Sequence, residues 1–101
     1  MKVLEKFSVI TSLVVKNETI VVLDWEQLRL HGFSDPNCNL WMVDESGHKK
    51  WAVNRTEKTG EPFVFLYENS TDGIRAKTFS GHEFSLNLET GQAQYLEWGG
   101  R

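Results

Sequence analysis

The sequence predicts an all-β domain of about eight antiparallel strands joined in consecutive hairpins, folded as a sandwich or as a strongly twisted, partly closed sheet. Three observations carry this expectation. First, Leu40 to Trp51 and Phe84 to Tyr95 read alike at an offset of 44 residues: a strand, a turn with glycine at the same place (Gly47, Gly91) and a second strand bearing an aromatic. Second, apolar and polar residues alternate along several segments, the signature of a half-buried strand. Third, turn-forming residues recur every ~8–12 residues, and no stretch sustains helical spacing with caps at its ends.

The elements follow in order. Val3 to Val15 alternates and is rich in residues that favour extended backbone, although Leu4 and Phe7 would also suit a short helical turn at the start. Lys16 to Thr19 is a turn. Ile20 to Trp25 is a nearly continuous apolar run of strand length, expected as a central strand buried on both faces. Glu26 to Cys38 is the longest irregular piece: Leu28 and Leu30 keep a strand-like alternation, Gly32 breaks it, and Ser34-Asp35-Pro36-Asn37 is a turn. Long loops in compact domains often carry function, which draws attention to this segment. Asn39 to Asp44 and Lys49 to Asn54 form a hairpin about the Glu45-Ser46-Gly47-His48 turn. Thr56 to Pro62 is a connection, Phe63 to Tyr67 a second apolar strand, Asn69 to Gly73 a turn, and Ile74 to Phe79 the next strand. Ser80-Gly81 turns the chain into Phe84 to Leu88, which alternates cleanly. Glu89-Thr90-Gly91 leads to a last strand, Ala93 to Trp98, and a frayed Gly99-Gly100-Arg101 tail. The 44-residue repeat has two readings. Any two tight glycine hairpins look alike, or the pair derives from propeller-like blades, which span roughly 40–45 residues.

Bulk properties bound the function. A chain of 101 residues forms one domain, here residues 1–101, with a single core. Eleven basic against fourteen acidic residues give a net charge of −3, with a pI near 5.6. Nucleic-acid binding draws on a basic surface, so this balance favours a basic protein partner over direct nucleic-acid contact. One cysteine, Cys38, permits no internal disulfide. Glu5 and Lys6 interrupt any leader-like apolar run, and no segment suits a membrane span. A cytoplasmic location is therefore expected.

Candidate chemistry is sparse. His31, Cys38, His48 and His82 lie 7, 10 and 34 residues apart in succession, unlike the short ligand pairs of zinc sites, so no metal and no cofactor is expected. Cys38 with His31 is a conceivable nucleophile and base, but no local motif supports it. Asp44 and Glu45 are sequence neighbours, poorly placed for paired acid–base work. No catalytic residues are assigned, and no enzymatic activity is expected. Trp41 and Trp51, on facing strands of one hairpin, offer a platform on which sugars or single-stranded nucleic acid would stack, with Lys49, Lys50 and Arg55 nearby. The strongest signal is acidic: Asp24, Glu26, Asp35, Asp44 and Glu45 fall within 22 positions, with Arg29 the only Lys or Arg among them. Trp25 lies in the same segment. Charges around an aromatic anchor suit a protein interface, so Asp24, Trp25, Glu26, Asp35, Asp44 and Glu45 are the candidate partner-binding residues.

The runs Leu40-Trp41-Met42-Val43-Asp44-Glu45-Ser46-Gly47, Pro62-Phe63-Val64-Phe65-Leu66-Tyr67 and Thr78-Phe79-Ser80-Gly81-His82-Glu83-Phe84, continuing to Gly91, resemble a group of small bacterial all-β proteins. Several members of that group are immunity proteins of toxin–immunity pairs, including contact-dependent growth inhibition systems. The resemblance spans about the last two-thirds of the chain and rests on strand and turn features. It implies a protein that binds a cognate toxin domain, often a nuclease, and blocks its working surface. It brings no catalytic motif and no site residues.

Overall fold

A computed structural model describes residues 6–55, 61–69 and 73–98. Among them nine strands and a short helix follow in the order β1 (Val9–Val15), β2 (Glu18–Leu23), α1 (Trp25–Leu30), β3 (Leu40–Val43), β4 (Lys49–Ala52), β5 (Asn54–Arg55), β6 (Phe63–Asn69), β7 (Gly73–Thr78), β8 (His82–Leu86) and β9 (Gln92–Trp98). They form two sheets, one ordered β1-β2-β3-β4 and the other β5-β9-β8-β7-β6. All pairings are antiparallel except β5 with β9. The expected all-β, hairpin-built class is therefore the observed one, and neither sheet closes into a barrel.

The two sheets face each other across one core. Ile20, Val22, Leu40 and Met42 from the first sheet meet Phe63, Ala76, Phe84 and Ala93 from the second. The other face of the first sheet is covered too: Val21, Leu23, Trp41 and Val43 pack with Phe7 and with Leu28 of α1. That double cover explains the unbroken apolar run of β2, whose Ile20, Val21, Val22 and Leu23 are all fully buried. Each such side chain contributes about 1.5–3 kcal/mol over its exposed state.

Helix α1 replaces the expected strand-like alternation at Leu28 and Leu30. Asp24 caps it, accepting a hydrogen bond from the Glu26 N–H at 2.9 Å. Six residues make less than two turns, so only Leu28 is buried while Leu30 stays exposed. No 3.6-residue period has room to develop. The first strand begins at Val9, later than its sequence pattern suggests, and Lys6 and Phe7 precede it. The remainder of the Met1–Phe7 segment, most of the 56–61 connection, the body of the 70–72 turn and the tail lie outside the described residues.

The register of the first repeated hairpin corrects another expectation. Trp41 sits opposite Ala52, and Trp51 opposite Met42. Adjacent positions on a strand point to opposite faces, so Trp41 and Trp51 cannot share a platform. Trp41 is 4% exposed against Phe7 and Phe33, with the Lys49 ammonium 4.2 Å from its ring centre. Trp51 packs on the other side, against the inter-sheet core.

The 44-residue repeat has a physical basis in its turns. Asp44 Oδ1 accepts the N–H groups of Ser46 and His48, each at 2.9 Å. Asn87 Oδ1 accepts those of Glu89 and Thr90, at 2.9 and 3.2 Å. Each side chain closes its own turn, and each turn ends on a glycine at positive φ, Gly47 at 89° and Gly91 at 81°. The two hairpins then pack together: Trp51 Nε1 donates to Leu88 O at 2.9 Å, and its indole lies against Gly91.

Two stability predictions follow from these contacts. A Cβ on Gly91 would stand 2.6 Å from Trp51 Cε3, whereas Gly32, at a similar φ of 84°, has nothing within 4 Å. Both alanine variants carry the backbone penalty of about 1 kcal/mol, and Gly91→Ala costs roughly 2 kcal/mol more through overpacking. Urea unfolding midpoints of the two variants will show that gap, and equal midpoints would refute it. Asn39 is fully buried; its Nδ2 donates to Leu23 O at 2.8 Å and Phe63 O at 2.9 Å, and its Oδ1 accepts from Phe63 N at 2.8 Å. Asn39→Leu keeps the branched shape but is larger and strands three buried backbone groups, and costs about 2–4 kcal/mol in the same assay.

Candidate functional site

Three turns meet at one end of the sandwich: Lys16-Asn17 between β1 and β2, Asp44 to His48 between β3 and β4, and the turn between β8 and β9 that carries Leu88 and Glu89. Between them lies a cleft of about 540 Å³. Val15, Met42 and Leu88 give it apolar lining, and Glu18, Asp44, Glu45 and Glu89 line it with carboxylates. Two cations stand against those four acids. Lys50 is held by Glu18 at 2.6 Å, and Lys16 occupies the left-handed turn position with φ 58°. Among the described residues Glu45 and Glu89 pair with no cation. An apolar-lined hollow with an excess of negative charge presents the two ingredients of a polar-rimmed protein interface.

The six residues expected at an interface do not form one surface. Asp44 and Glu45 line the cleft. Asp24, Trp25 and Glu26 lie at the other end of β2, since Val43 pairs with Thr19 while Leu23 leads into Asp24. At ~3.3 Å per residue the two groups stand roughly 15–20 Å apart. Most of the acids in that set serve the fold. Asp24 is the helix cap, Glu26 ion-pairs with Arg29, and Asp35 Oδ2 accepts from the Cys38 thiol at 3.2 Å. The hydrogen bond from the His48 N–H, more than any other contact, holds the Asp44 carboxyl below its ordinary range. That leaves Glu45, with Glu89 and Glu18 as the cleft acids the sequence did not single out. Their union needs β3–β4 and β8–β9 from different sheets to be brought together, and the matched turns of the repeat were the only trace of it. Trp25, 36% exposed at the start of α1, is remote from the cleft.

The nucleophile and metal candidates resolve similarly. Burial first, and then the hydrogen bond to Asp35, push the Cys38 thiol up to about 11, so it is protonated at neutral pH. His31 stacks edge-on against Phe7 at 5.3 Å, and His82 Nδ1 lies 3.2 Å from the Tyr95 hydroxyl. Among the described residues no group of three or more His, Cys, Asp or Glu is placed to hold a metal ion, and no helix is long and apolar enough to cross a membrane.

A second polar cluster lies on the outward face of the second sheet and left no trace in the sequence pattern. Glu83, 7% exposed, accepts from the Tyr67 hydroxyl and from Arg75 Nη1 at 2.7 Å, with Lys77 Nζ at 3.9 Å. Three adjacent strands supply these groups: β6 gives Tyr67, β7 gives Arg75 and Lys77, and β8 gives Glu83. Phe65, 49% exposed, stands beside Tyr67. The Tyr67 hydroxyl first, then Arg75 and Lys77, hold the Glu83 carboxyl below its usual range, and Glu83 in return raises the Tyr67 hydroxyl. Its members bond one another across the sheet, so the cluster acts as a clasp over three strands.

The direction of these shifts sets a pH dependence. Glu83, Glu61 and Asp44 are all lowered in the folded chain. Their stabilisation is therefore fully present above the unfolded carboxylate value, near 4.3 for Glu, and is lost as pH falls through the lower folded values. Glu83→Gln removes the charge, lowers stability at pH 7 by about 1–3 kcal/mol, and flattens the acid limb of stability against pH; an acid limb as steep as the parent's would contradict it. No curated protein and no solved structure matches the chain. One family profile does match, over residues 4–98, and the chain belongs to that family, described as Domain of unknown function (DUF7957).

Proposed function

We propose that this protein is a non-enzymatic immunity protein that binds a cognate bacterial toxin domain, a nuclease, and blocks its active site or substrate surface. The observation that carries this reading is the cleft where three turns meet, apolar inside and rimmed by an excess of carboxylates. A nuclease must present cations to hold phosphates. An inhibitor that offers carboxylates around an apolar socket complements such a surface. The charges speed encounter and the desolvated centre slows release. The net charge of −3 points the same way. The resemblance of the later strands and turns to immunity proteins supplies the biological class. In this reading Glu45 and Glu89 steer, and Val15, Met42 and Leu88 receive an apolar or long-stemmed cationic side chain from the toxin.

The reading predicts a large secreted protein encoded beside this chain, and the test uses the C-terminal domain of that neighbour. Co-expression of this chain is expected to restore growth of cells making that domain, and continued killing would reject the function. Reversing the two cleft acids that pair with no described cation, Glu45→Lys with Glu89→Lys, is expected to slow association with the toxin domain about tenfold or more at low salt, and to flatten the salt dependence of the rate. Stopped-flow fluorescence reads both quantities. An unchanged association rate in a variant that still protects cells would move the interface away from the cleft.

A further inference from the structure

We infer that the cleft takes one arginine side chain of its partner, in preference to lysine, and that Lys50 is a built-in competitor for that cation. This rests on the cleft being the binding surface proposed above, and names the group it receives. The first observation is how Lys50 reaches the cleft. Trp41 pairs with Ala52, Met42 with Trp51 and Val43 with Lys49, which leaves Lys50 as an extra residue with no register partner on β3. Ala52 packs on the outer face of the first sheet and Trp51 against the inter-sheet core, so plain alternation would turn Lys50 outward. The bulge re-aims it. Lys49 takes the outer face over Trp41, and Lys50 Nζ turns inward to Glu18 Oε2 at 2.6 Å. Glu18 lies two residues before Ile20, on the face that meets the second sheet. Lys50 and Glu18 both line the cleft, and their side chains keep 43% and 31% of their exposure, so the pair is open to exchange.

The cleft thus already seats one long-stemmed cation, and it has capacity for another. Its whole lining belongs to described residues, and Glu45 and Glu89 pair with no cation among them. These two carboxylates come from different turns. A guanidinium carries its donors in a planar fork and can bond two carboxylates at once, whereas an ammonium is a compact point charge. The guanidinium is also the more weakly hydrated of the two, so it gives up less against the apolar lining of Val15, Met42 and Leu88. The side-chain stem adds apolar contact there. At about 540 Å³ the cleft falls in the size range of small-ligand sites. Lys50 opposes the incoming cation in two ways: it repels a like charge, and it occupies Glu18.

Titration of the full chain with acetyl-Gly-Arg-Gly-amide and, separately, acetyl-Gly-Lys-Gly-amide at low salt tests this, read by amide chemical shifts in nuclear magnetic resonance. The arginine peptide is expected to bind with a dissociation constant on the order of 1 mM. It shifts the amides of Glu45, Ser46, Leu88 and Glu89 and leaves those of the remote acids Asp24 and Glu26 in place. The lysine peptide is expected to bind at least ~3-fold more weakly. Glu45→Gln with Glu89→Gln is expected to weaken the arginine peptide at least ~5-fold, and Lys50→Gln to tighten it about threefold. Equal affinity for the two peptides, shifts spread over Asp24 and Glu26, or no tightening in Lys50→Gln would each overturn the inference. Growth protection reports separately. A chain that protects cells but ignores the arginine peptide rejects this inference alone, and a chain that binds the peptide but fails to protect rejects the immunity function alone.

Discussion

The Asn39 side chain is the directional tie between the two sheets. Their shared core is apolar, and apolar packing fixes distance better than it fixes alignment. The buried amide supplies alignment: it grips Leu23 O at the end of β2 and both backbone groups of Phe63 at the start of β6. The Asn39 backbone carbonyl accepts from Leu23 N at 2.8 Å. The excursion through α1 and the following loop is thereby closed at both ends, which holds Leu28 and Phe7 over the outer face of the first sheet. A neighbouring tie reinforces it. Arg55 donates to Asn37 O and Glu61 O at 2.7 Å while its guanidinium lies 4.5 Å from the centre of the Phe63 ring. Left unpaired, such groups would each cost about 1–3 kcal/mol, and that cost makes alternative sheet alignments unfavourable.

The cleft depends on that alignment, because its walls come from both sheets. Glu18 at the start of β2 and Asp44 in the β3–β4 turn belong to the first sheet, while Leu88 and Glu89 belong to a turn of the second. Trp51 spans the gap, with its indole N–H on Leu88 O and its ring on the bare Cα of Gly91. The repeated hairpins thus have a joint role: the side chain of one fills the space left by the glycine of the other. A residue larger than glycine there would push the two turns apart and open the cleft.

Hairpin order, the buried β2 and the Asx-and-glycine turns were readable in the sequence because each is a local pattern with a local cause. Alternation reports burial, and a glycine three or four residues after Asp or Asn, as in Asp44–Gly47 and Asn87–Gly91, reports a turn that ends in a left-handed residue. What stayed hidden was non-local or too short. Helix α1 is announced by an Asp24 cap and Gln27 three residues later, a capping-box spacing, but six residues cannot display a period. Register is also hidden. That Trp41 and Trp51 diverge follows from pairing Trp41 with Ala52, which hydrophobicity alone does not choose when both faces of the sheet are covered. The Glu83 clasp joins residues from three strands that no spacing rule connects.

The acidic residues divide by task, and the division can be read from their partners. Asp24, Asp44, Glu61 and Glu83 each accept hydrogen bonds that close a cap, a turn, a strand connection or a sheet face. Three of these, Asp44, Glu61 and Glu83, are lowered in pKa for that reason. Glu45 and Glu89 are exposed, and their charge contributes little to the fold. A surface charge with no cation partner among the described residues adds self-repulsion to a molecule that is already negative. Their placement on two turns held together by Trp51 gives that charge a fixed geometry instead of a diffuse one. Fixed charge on a rigid frame is the arrangement in which electrostatics raise the rate of encounter with a cationic surface at no cost in ordering. The sandwich is therefore suited to binding through its turns, with the sheets serving to hold those turns still.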